Sequence, residues 1–352
     1  MVSDSGPVQI PKGKVIGKRW RILKKLGEGG CGAVYKVEDV NTKQEILRRL
    51  ANKPYVAQLI QSGKREQYCY IVMTLLGESL RHITKRLGKI FSVSTQVRIG
   101  INVLFGLKQI HDIGFIHRDI KPANMALGRF GSRDYKFIHI LDFGLAREYI
   151  VVGNNGKPKM RRPRQRALFR GTTRYCSVST HERSEQGRMD DLWCLLYMLA
   201  ELRGPLPWAN ASDKKEVYEI KSKTEIDVVL ENCPVQFVKF AEHLSTLNYY
   251  ARPDYLLLYN LLADVMKAGR FSYSDPYDWE LRPRNEESKA ESRSENKPTN
   301  WSGTTTEGKN ERQTVSCNSI IAEKKSEVLI YQMINEKNPF PSEFFARNPL
   351  GF

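Results

Sequence analysis

No run of this 352-residue sequence approaches the ~18 apolar residues of a membrane span. The opening MVSDSGPVQIPKGK has no apolar stretch of the kind a secretory leader needs. Neither an anchor nor export is therefore expected. Cysteine is scarce: Cys31, Cys69, Cys176, Cys194, Cys233 and Cys317 form no C-x-x-C pair and no metal-ligand spacing. That pattern argues against a disulfide framework or a zinc module, and it predicts free thiols in a reducing, cytoplasmic and/or nuclear compartment. No internal repeat is found, which sets aside solenoids and propellers. Acidic residues are few, 39 Asp and Glu against 56 Lys and Arg, so the net charge is +17 and the pI about 9.5. Such a balance favours acidic partners: nucleic acid, an anionic membrane, or acidic and phosphorylated protein. Charge alone does not choose among them.

What is present reads as a soluble globular protein, with 41% hydrophobic and 27% charged residues. The length suffices for a sizeable core in one large or two small domains. Residues 1–17, rich in Gly, Pro and Lys, read as a flexible lead-in. From Arg19 to about Val72 the pattern is strand-like: Trp20 to Leu23 alternates, Val34 to Val37 follows a glycine-rich turn, and Tyr68 to Val72 is an apolar run. From Leu80 to Glu280 it becomes mainly helical. Val97, Ile101, Leu104 and Leu107 recur at helical spacing before His111, and Asp191 to Leu202 is apolar nearly all round, as in a helix buried on every side. Beyond Leu281 the composition turns polar and rich in Ser and Thr, which predicts a largely disordered tail over 282–352. Two apolar patches interrupt it, Val328 to Tyr331 and Phe340 to Phe345, as segments able to dock on the folded part or on a partner.

Two motifs carry chemistry. In Gly27-x-Gly29-x-x-Gly32-x-Val34 the absent side chains let backbone N–H groups approach phosphate oxygens. The glycines lie between two β-rich stretches rather than between a strand and a helix, which suits a lid over a nucleotide and not a dinucleotide-binding turn. The second motif is decisive: His117-Arg118-Asp119-Ile120-Lys121-Pro122-Ala123-Asn124, followed by Asp142-Phe143-Gly144. Phosphoryl transfer needs a carboxylate to orient the attacking hydroxyl and accept its proton, the part for Asp119. It also needs oxygen ligands for Mg²⁺, the parts for Asn124 and Asp142. Lys121 adds a point charge within reach of the transferred group. Between Asn124 and Asp142 there is room for a hairpin pairing Met125–Leu127 with Phe137–Leu141.

With these motifs in order, the chain resembles protein kinases of the casein kinase 1 superfamily, closest to the tau-tubulin kinase-like branch. The likeness runs from about Trp20 to Glu280 and includes HRDIKPANMALG, ILDFGLAREY, RGTTRYCSVSTHERSEQGRMDDLWCLLYMLAELRGPLPW, RPDY and YDWE. It implies an α+β, bilobal fold: a kinase domain over 18–281, with a small antiparallel β lobe at 18–76 and a large, mainly helical lobe at 77–281. It implies ATP and Mg²⁺ as cofactors and serine/threonine specificity, since Lys121 stands where tyrosine kinases have no lysine. Met73 would be the gatekeeper, Thr74 to Gly77 (with Leu76) the hinge beside adenine, and Val34 and Ala126 the adenine sandwich. Asp191 would anchor the catalytic loop. Ser177-Val178-Ser179 stands where most kinases carry Ala-Pro-Glu. Lys157 to Arg174 holds eight Lys or Arg and no acid. This is either a solvated loop or an anion site for acidic or already phosphorylated protein substrates, with Arg174 and Lys223 at matching positions. The chain is expected to act as a monomer, with no membrane attachment; a nucleic-acid role ranks behind these.

One family element is absent. No V-A-I-K-like text supplies the lysine of the third strand or its glutamate on the following helix. From Val34 to Met73 the interval is 39 residues, whereas four strands, a helix and their loops need roughly 47. Asn41 to Glu45 resembles the turn before that strand, and Ile46 to Leu50 the end of that helix. The join at Glu45–Ile46 reads as a clean excision, as a skipped coding segment would leave. Lys36, Lys43 and Glu45 are weak substitutes. The rival to an active enzyme is therefore a pseudokinase or inactive splice form that binds without catalysing.

Overall fold

A twenty-residue helix, Val93–Asp112, forms the central axis of the fold, with every residue from Thr95 to His111 buried. The Ser92 hydroxyl caps it by accepting from the Thr95 N–H. Its apolar spacing predicts one buried face; the structure covers all of them. That is possible because each inward polar side chain meets a partner. Arg98 donates to the Asp275 and Pro276 carbonyls, and Asn102 exchanges two hydrogen bonds with the Ile138 backbone, at 2.9 and 2.7 Å.

The computed structural model describes residues 10–16, 20–29, 32–39, 55, 57, 59–64, 69–88, 90–132, 134–153, 156–281 and 339–352. Strands β1 (Val15–Ile16), β2 (Trp20–Gly29) and β3 (Gly32–Asp39) form one antiparallel sheet, and β4 (Leu59–Lys64) and β5 (Cys69–Met73) another. Helices α1 (Leu80–Leu87) and α2 (Val93–Asp112) follow. Next come the short strands β6 (Phe115–Ile116), β7 (Met125–Leu127), β8 (Ile138–Ile140), β9 (Arg147–Glu148), β10 (Ile150–Val152) and β11 (Pro158–Met160). The remainder is helical: α3 (Val178–His181), α4 (Arg188–Glu201), α5 (Lys214–Lys223), α6 (Ile226–Val229), α7 (Gln236–Ser245), α8 (Tyr255–Ala268), α9 (Asp278–Leu281) and, after a gap in sequence, α10 (Ser342–Ala346).

This is the expected α+β, two-lobed arrangement, with one core built from α2, α4, α7 and α8. Helix α4 is buried almost throughout, as its all-round apolar text predicts. Gly106 on α2 matters for the contact with β8: a Cβ there would lie 2.8 Å from Ile140 Cδ1. One expectation is corrected. The lead-in contains a strand rather than only coil, because Val15 and Ile16 pair with Arg21 and Trp20, and the Gly13 N–H donates to the Ile22 carbonyl. Too short to show alternation, this strand exists only because β2 offers it an edge. The tail patch at Phe340–Phe345 docks on the large lobe; Val328–Tyr331 lies outside the described residues.

The small lobe is divided. Among the described residues no strand joins the β1–β2–β3 sheet to the β4–β5 hairpin. Fifteen residues, 40–54, separate Asp39 from Tyr55, fewer than a strand, a three-turn helix and their loops require. The Glu45–Ile46 join, Lys43 and Glu45 itself lie outside the described residues. A hairpin without a neighbouring strand has little independent stability. The amides of β4 and β5 are expected to exchange with solvent at least about ten-fold faster than those of Leu195–Leu199 in α4. Equal protection in native-state hydrogen exchange would show that the lobes open only together.

Candidate active site

The loop carrying the decisive motif is held by one carboxylate. Asp191, in the first turn of α4 and wholly buried, accepts from the His117 N–H (2.7 Å), the Arg118 N–H (2.7 Å) and His111 Nε2 (2.9 Å). With Nε2 donating, His111 Nδ1 is left to accept from the Tyr255 hydroxyl at 2.6 Å, so α2, α4 and α8 meet at this point. Burial by itself pushes the Asp191 carboxyl upward, but the hydrogen bonds from the His111 imidazole and the His117 backbone outweigh burial and hold it below the ordinary aspartate value. Burial keeps His117 neutral by lowering its pKa; its Nδ1 accepts from the Asp119 N–H and its Nε2 donates to the Leu141 carbonyl. Arg118 sits at φ +69°, a conformation costly for a non-glycine residue. The Asp191 bonds and a 2.6 Å bond from Arg118 Nε to the Leu145 carbonyl maintain it.

Asp119 stands at the end of this anchored loop, almost fully buried. Lys121 Nζ donates to its Oδ2 at 2.6 Å, and the Thr172 hydroxyl donates to its Oδ1 at 2.7 Å. Lys121 also reaches Thr172 Oγ1 at 3.0 Å, which closes a three-membered network. Gly171 permits the approach of Thr172: it adopts φ +109°, and a Cβ there would lie 2.6 Å from the Arg118 carbonyl oxygen. Asn124 Nδ2 donates to the Asp119 carbonyl at 2.9 Å, which leaves its amide oxygen as an acceptor.

Strands β7 and β8 bring the two metal candidates together. They pair from Met125↔Ile140 to Leu127↔Ile138, and the Leu141 N–H donates to the Asn124 carbonyl at 3.0 Å. Asp142 follows at φ +66°, exposed, with Oδ1 accepting from the Gly144 N–H. An amide oxygen and a carboxylate form a hard, all-oxygen donor pair that suits Mg²⁺ completed by water and phosphate oxygens. Thus Asp119, Lys121, Asn124 and Asp142 converge on one loop and one hairpin.

On the nucleotide side, Gly27 and Gly29 end β2 and Gly32 opens β3; Gly29 pairs with Gly32, so the glycines form the tip of a hairpin. The segment after β5 pairs with β7 through Gly77 N–H to the Leu127 carbonyl (2.8 Å) and a bridge between Ser79 and Ala126. This sets the expected hinge beside Ala126, which is buried, while Leu76 is half-buried and Met73 and Val34 are exposed.

The two candidate anion residues are not equivalent. Arg174 Nε is 3.1 Å from Glu201 Oε1, a half-buried ion pair, whereas Lys223 is exposed at the end of α5. Lys221 is instead the buried cation that α5 directs at this region. It is buried and donates to the carbonyls of Thr173, Arg174 and Cys176, and burial brings its pKa down to about 8. Glu185, whose own burial opposes ionisation, is held below its ordinary pKa by Arg164 and Arg147. Of the eight cations from Lys157 to Arg174, Arg164 is thus paired with a buried carboxylate while its own side chain stays partly exposed; Lys159, Arg162, Arg166 and Arg170 are exposed. Sequence reasoning missed Thr172 and Lys221. A Thr-Thr pair between Gly171 and Arg174 hinted at the first. The second falls on the α5 face opposite Lys223, a two-residue offset that a lysine count does not resolve.

The protein kinase domain family model matches residues 38–262. A Caenorhabditis elegans protein named as a serine/threonine-protein kinase is 49% identical over 302 residues, covering 80% of this chain and 87% of its own. A Dictyostelium discoideum protein named as a serine/threonine-protein kinase is 36% identical over 292 residues, 77% of this chain and 58% of its own. A second C. elegans relative, 38% identical over 248 residues (68% and 86%), carries the name inactive tau-tubulin kinase.

The Asp191 anchor has a pH signature. A carboxyl with a lowered folded pKa adds stability that is full above the unfolded value of about 3.9 and is lost as pH falls through the folded value. Asp191→Asn is expected to cost about 3–5 kcal/mol at pH 7, with the deficit shrinking below about pH 4. Denaturant unfolding at the two pH values checks this; a deficit independent of pH would show that the charge is not what the loop uses.

Proposed function

The chain belongs to the protein kinase family, and from that premise we propose that it transfers the γ-phosphoryl group of ATP to serine and threonine hydroxyls of acidic or already phosphorylated proteins. The observation that carries this reading is the Asp119 carboxylate shared between Lys121 and the Thr172 hydroxyl, beside the amide of Asn124. Mg²⁺ with ATP, when bound, supplies the phosphoryl group and offsets the charge that develops on it. Asn124 and Asp142 offer the protein's oxygen ligands. Asp119 orients the substrate hydroxyl and accepts its proton, Lys121 sets a positive charge beside that carboxylate, and Thr172 fixes the carboxylate's rotation. Gly27, Gly29 and Gly32 cover the phosphates, Val34 and Ala126 enclose the base, Met73 is the gatekeeper and Leu76 lies in the hinge beside adenine.

The exposed Lys159, Arg162, Arg166 and Arg170 support a preference for acidic substrates. Arg174 with Lys223 would serve a phosphate, in the manner of the casein kinase 1 superfamily; Arg174 would then exchange Glu201 for the substrate anion. The tau-tubulin-like branch, a monomeric state and a cytoplasmic and/or nuclear place belong to the same proposal. Among the described residues no helix is long and apolar enough to cross a membrane.

A second reading is a binding module without catalysis. It is favoured by the fifteen residues between Asp39 and Tyr55, too few for the lysine-bearing strand and its helix, and by the relative named inactive. Phosphate-transfer assays with Mg·ATP on acidic and basic peptides separate the two. The catalytic reading expects transfer that falls about 10²–10⁴-fold in Asp119→Asn. It also expects a preference for acidic peptides that fades with added salt, and a rise in Tm with millimolar Mg·ATP. No transfer, together with no Tm shift, would leave the binding module.

A further inference from the structure

Residues 339–352 lie far along the sequence from the lobe they touch, yet Phe340 and Phe345 are only 2% and 0% exposed. Phe345 stacks on Tyr259 of α8 at 4.4 Å, and Phe344 lies 4.2 Å from Phe105 of α2, between ring centroids. The Lys108 ammonium, itself fully buried, sits 4.7 Å over the Phe344 ring. Two arginines of the large lobe hold the backbone beyond: Arg252 donates to the Arg347 carbonyl (2.8 Å) and Arg188 to the main-chain oxygen of Phe352 (2.9 Å). Chance collapse of a polar tail would not bury two phenylalanines, pack a third against Phe105 and engage two separate arginines.

Phe340 has a further contact, with Tyr55, at 5.4 Å. Tyr55 adopts φ +64°, a left-handed conformation that an aromatic residue holds only under constraint from its surroundings. Phe105, Phe137, His139 and Phe340 surround its ring. Its backbone is stitched to β8: the Ile140 N–H donates to the Tyr55 carbonyl, and the Ala57 N–H donates to the Ile140 carbonyl at 2.9 Å. Ile140 stands two residues before Asp142, and Ala57 two residues before β4, so this stitch joins the β4–β5 hairpin to the large lobe. Among the described residues that hairpin shares no strand pairing with the glycine hairpin, and the stitch and the hinge after β5 attach it to the large lobe.

We propose that residues 339–352 are a docking segment that binds, within the same chain, to the aromatic face of α2 and α8 and clamps Tyr55 in place, so fastening the divided small lobe behind the Asp142 site. The recognised chemistry is a Phe-Pro-x-x-Phe-Phe peptide: the first ring meets Tyr55, and the last two meet Phe105, Lys108 and Tyr259. The inference rests on packing and does not depend on the catalytic assignment.

Hydrogen exchange in the full chain tests it. In Phe340→Ala, and more so in Phe340→Ala/Phe345→Ala, the amides of Ile140 and Ala57 are expected to exchange at least about ten-fold faster, while Leu195 in α4 keeps its protection and reports that the large lobe is folded. A synthetic peptide of residues 339–352, added to the double variant, is expected to restore protection at both amides. Unchanged exchange at Ile140 and Ala57 in folded Phe340→Ala would overturn the proposal. So would protection in the unsubstituted chain that rises with protein concentration, since the segment would then be exchanged between copies. If the double variant loses Leu195 protection as well, the single variant decides.

Discussion

The buried carboxylate of Asp191 is the constraint on which the site depends. An ionised group inside a protein is tolerated only when donors replace its water, and here two backbone N–H groups of the catalytic loop and one imidazole do so. The consequence is geometric. Satisfying the carboxylate fixes His117 and Arg118, forces Arg118 into the left-handed region, and delivers Asp119 to its place beside Lys121. Its neighbour Asp190 does parallel work on the other side of the site. It accepts from the Gly187 N–H at the start of α4 and from the Ser177 and Ser179 hydroxyls that end the activation segment. The two carboxyls respond oppositely to the same burial. Hydroxyls and one amide do not offset desolvation at Asp190, whose pKa rises, whereas the imidazole and loop N–H donors around Asp191 do.

The basic surplus is used inside the fold as well as on its surface. Arg164 and Arg147 neutralise Glu185, Arg174 meets Glu201, and Lys221 holds three carbonyls at the end of the activation segment. A buried lysine without a carboxylate is costly, and its lowered pKa reflects that. The face it organises is therefore shaped from within by one buried cation, flanked by partly exposed arginines. Lys159, Arg162, Arg166 and Arg170 are exposed and add to the positive field around the site.

Much of the candidate site was legible because its chemistry is local in sequence. HRDIKPAN and DFG name the candidate base, lysine and metal ligands by residue type and order, and the hairpin between them follows from its alternation and length. The large-lobe helices were legible for the same reason, since α2 and α4 carry their period in their own text. Thr172 was not, because its role arises from a turn at Gly171 that brings residues 119 and 172 together. Nor was the short strand Val15–Ile16, which is made by its partner and not by its own pattern. The difference between Lys221 and Lys223 is likewise a matter of which side of α5 faces the activation segment.

By itself, the sequence determined the family, the order of elements, the residues able to take part in phosphoryl transfer and the shortfall in the small lobe, since motif, period and chain length are properties of a linear string. Only the tertiary structure decided how that shortfall is met. Among the described residues the β4–β5 hairpin shares no strand pairing with the glycine hairpin, Tyr55 is hydrogen-bonded to β8, and the aromatic segment 339–352 packs against it. Burial of rings depends on surfaces brought together from distant parts of the chain, and no local pattern records which surface a distant phenylalanine will find.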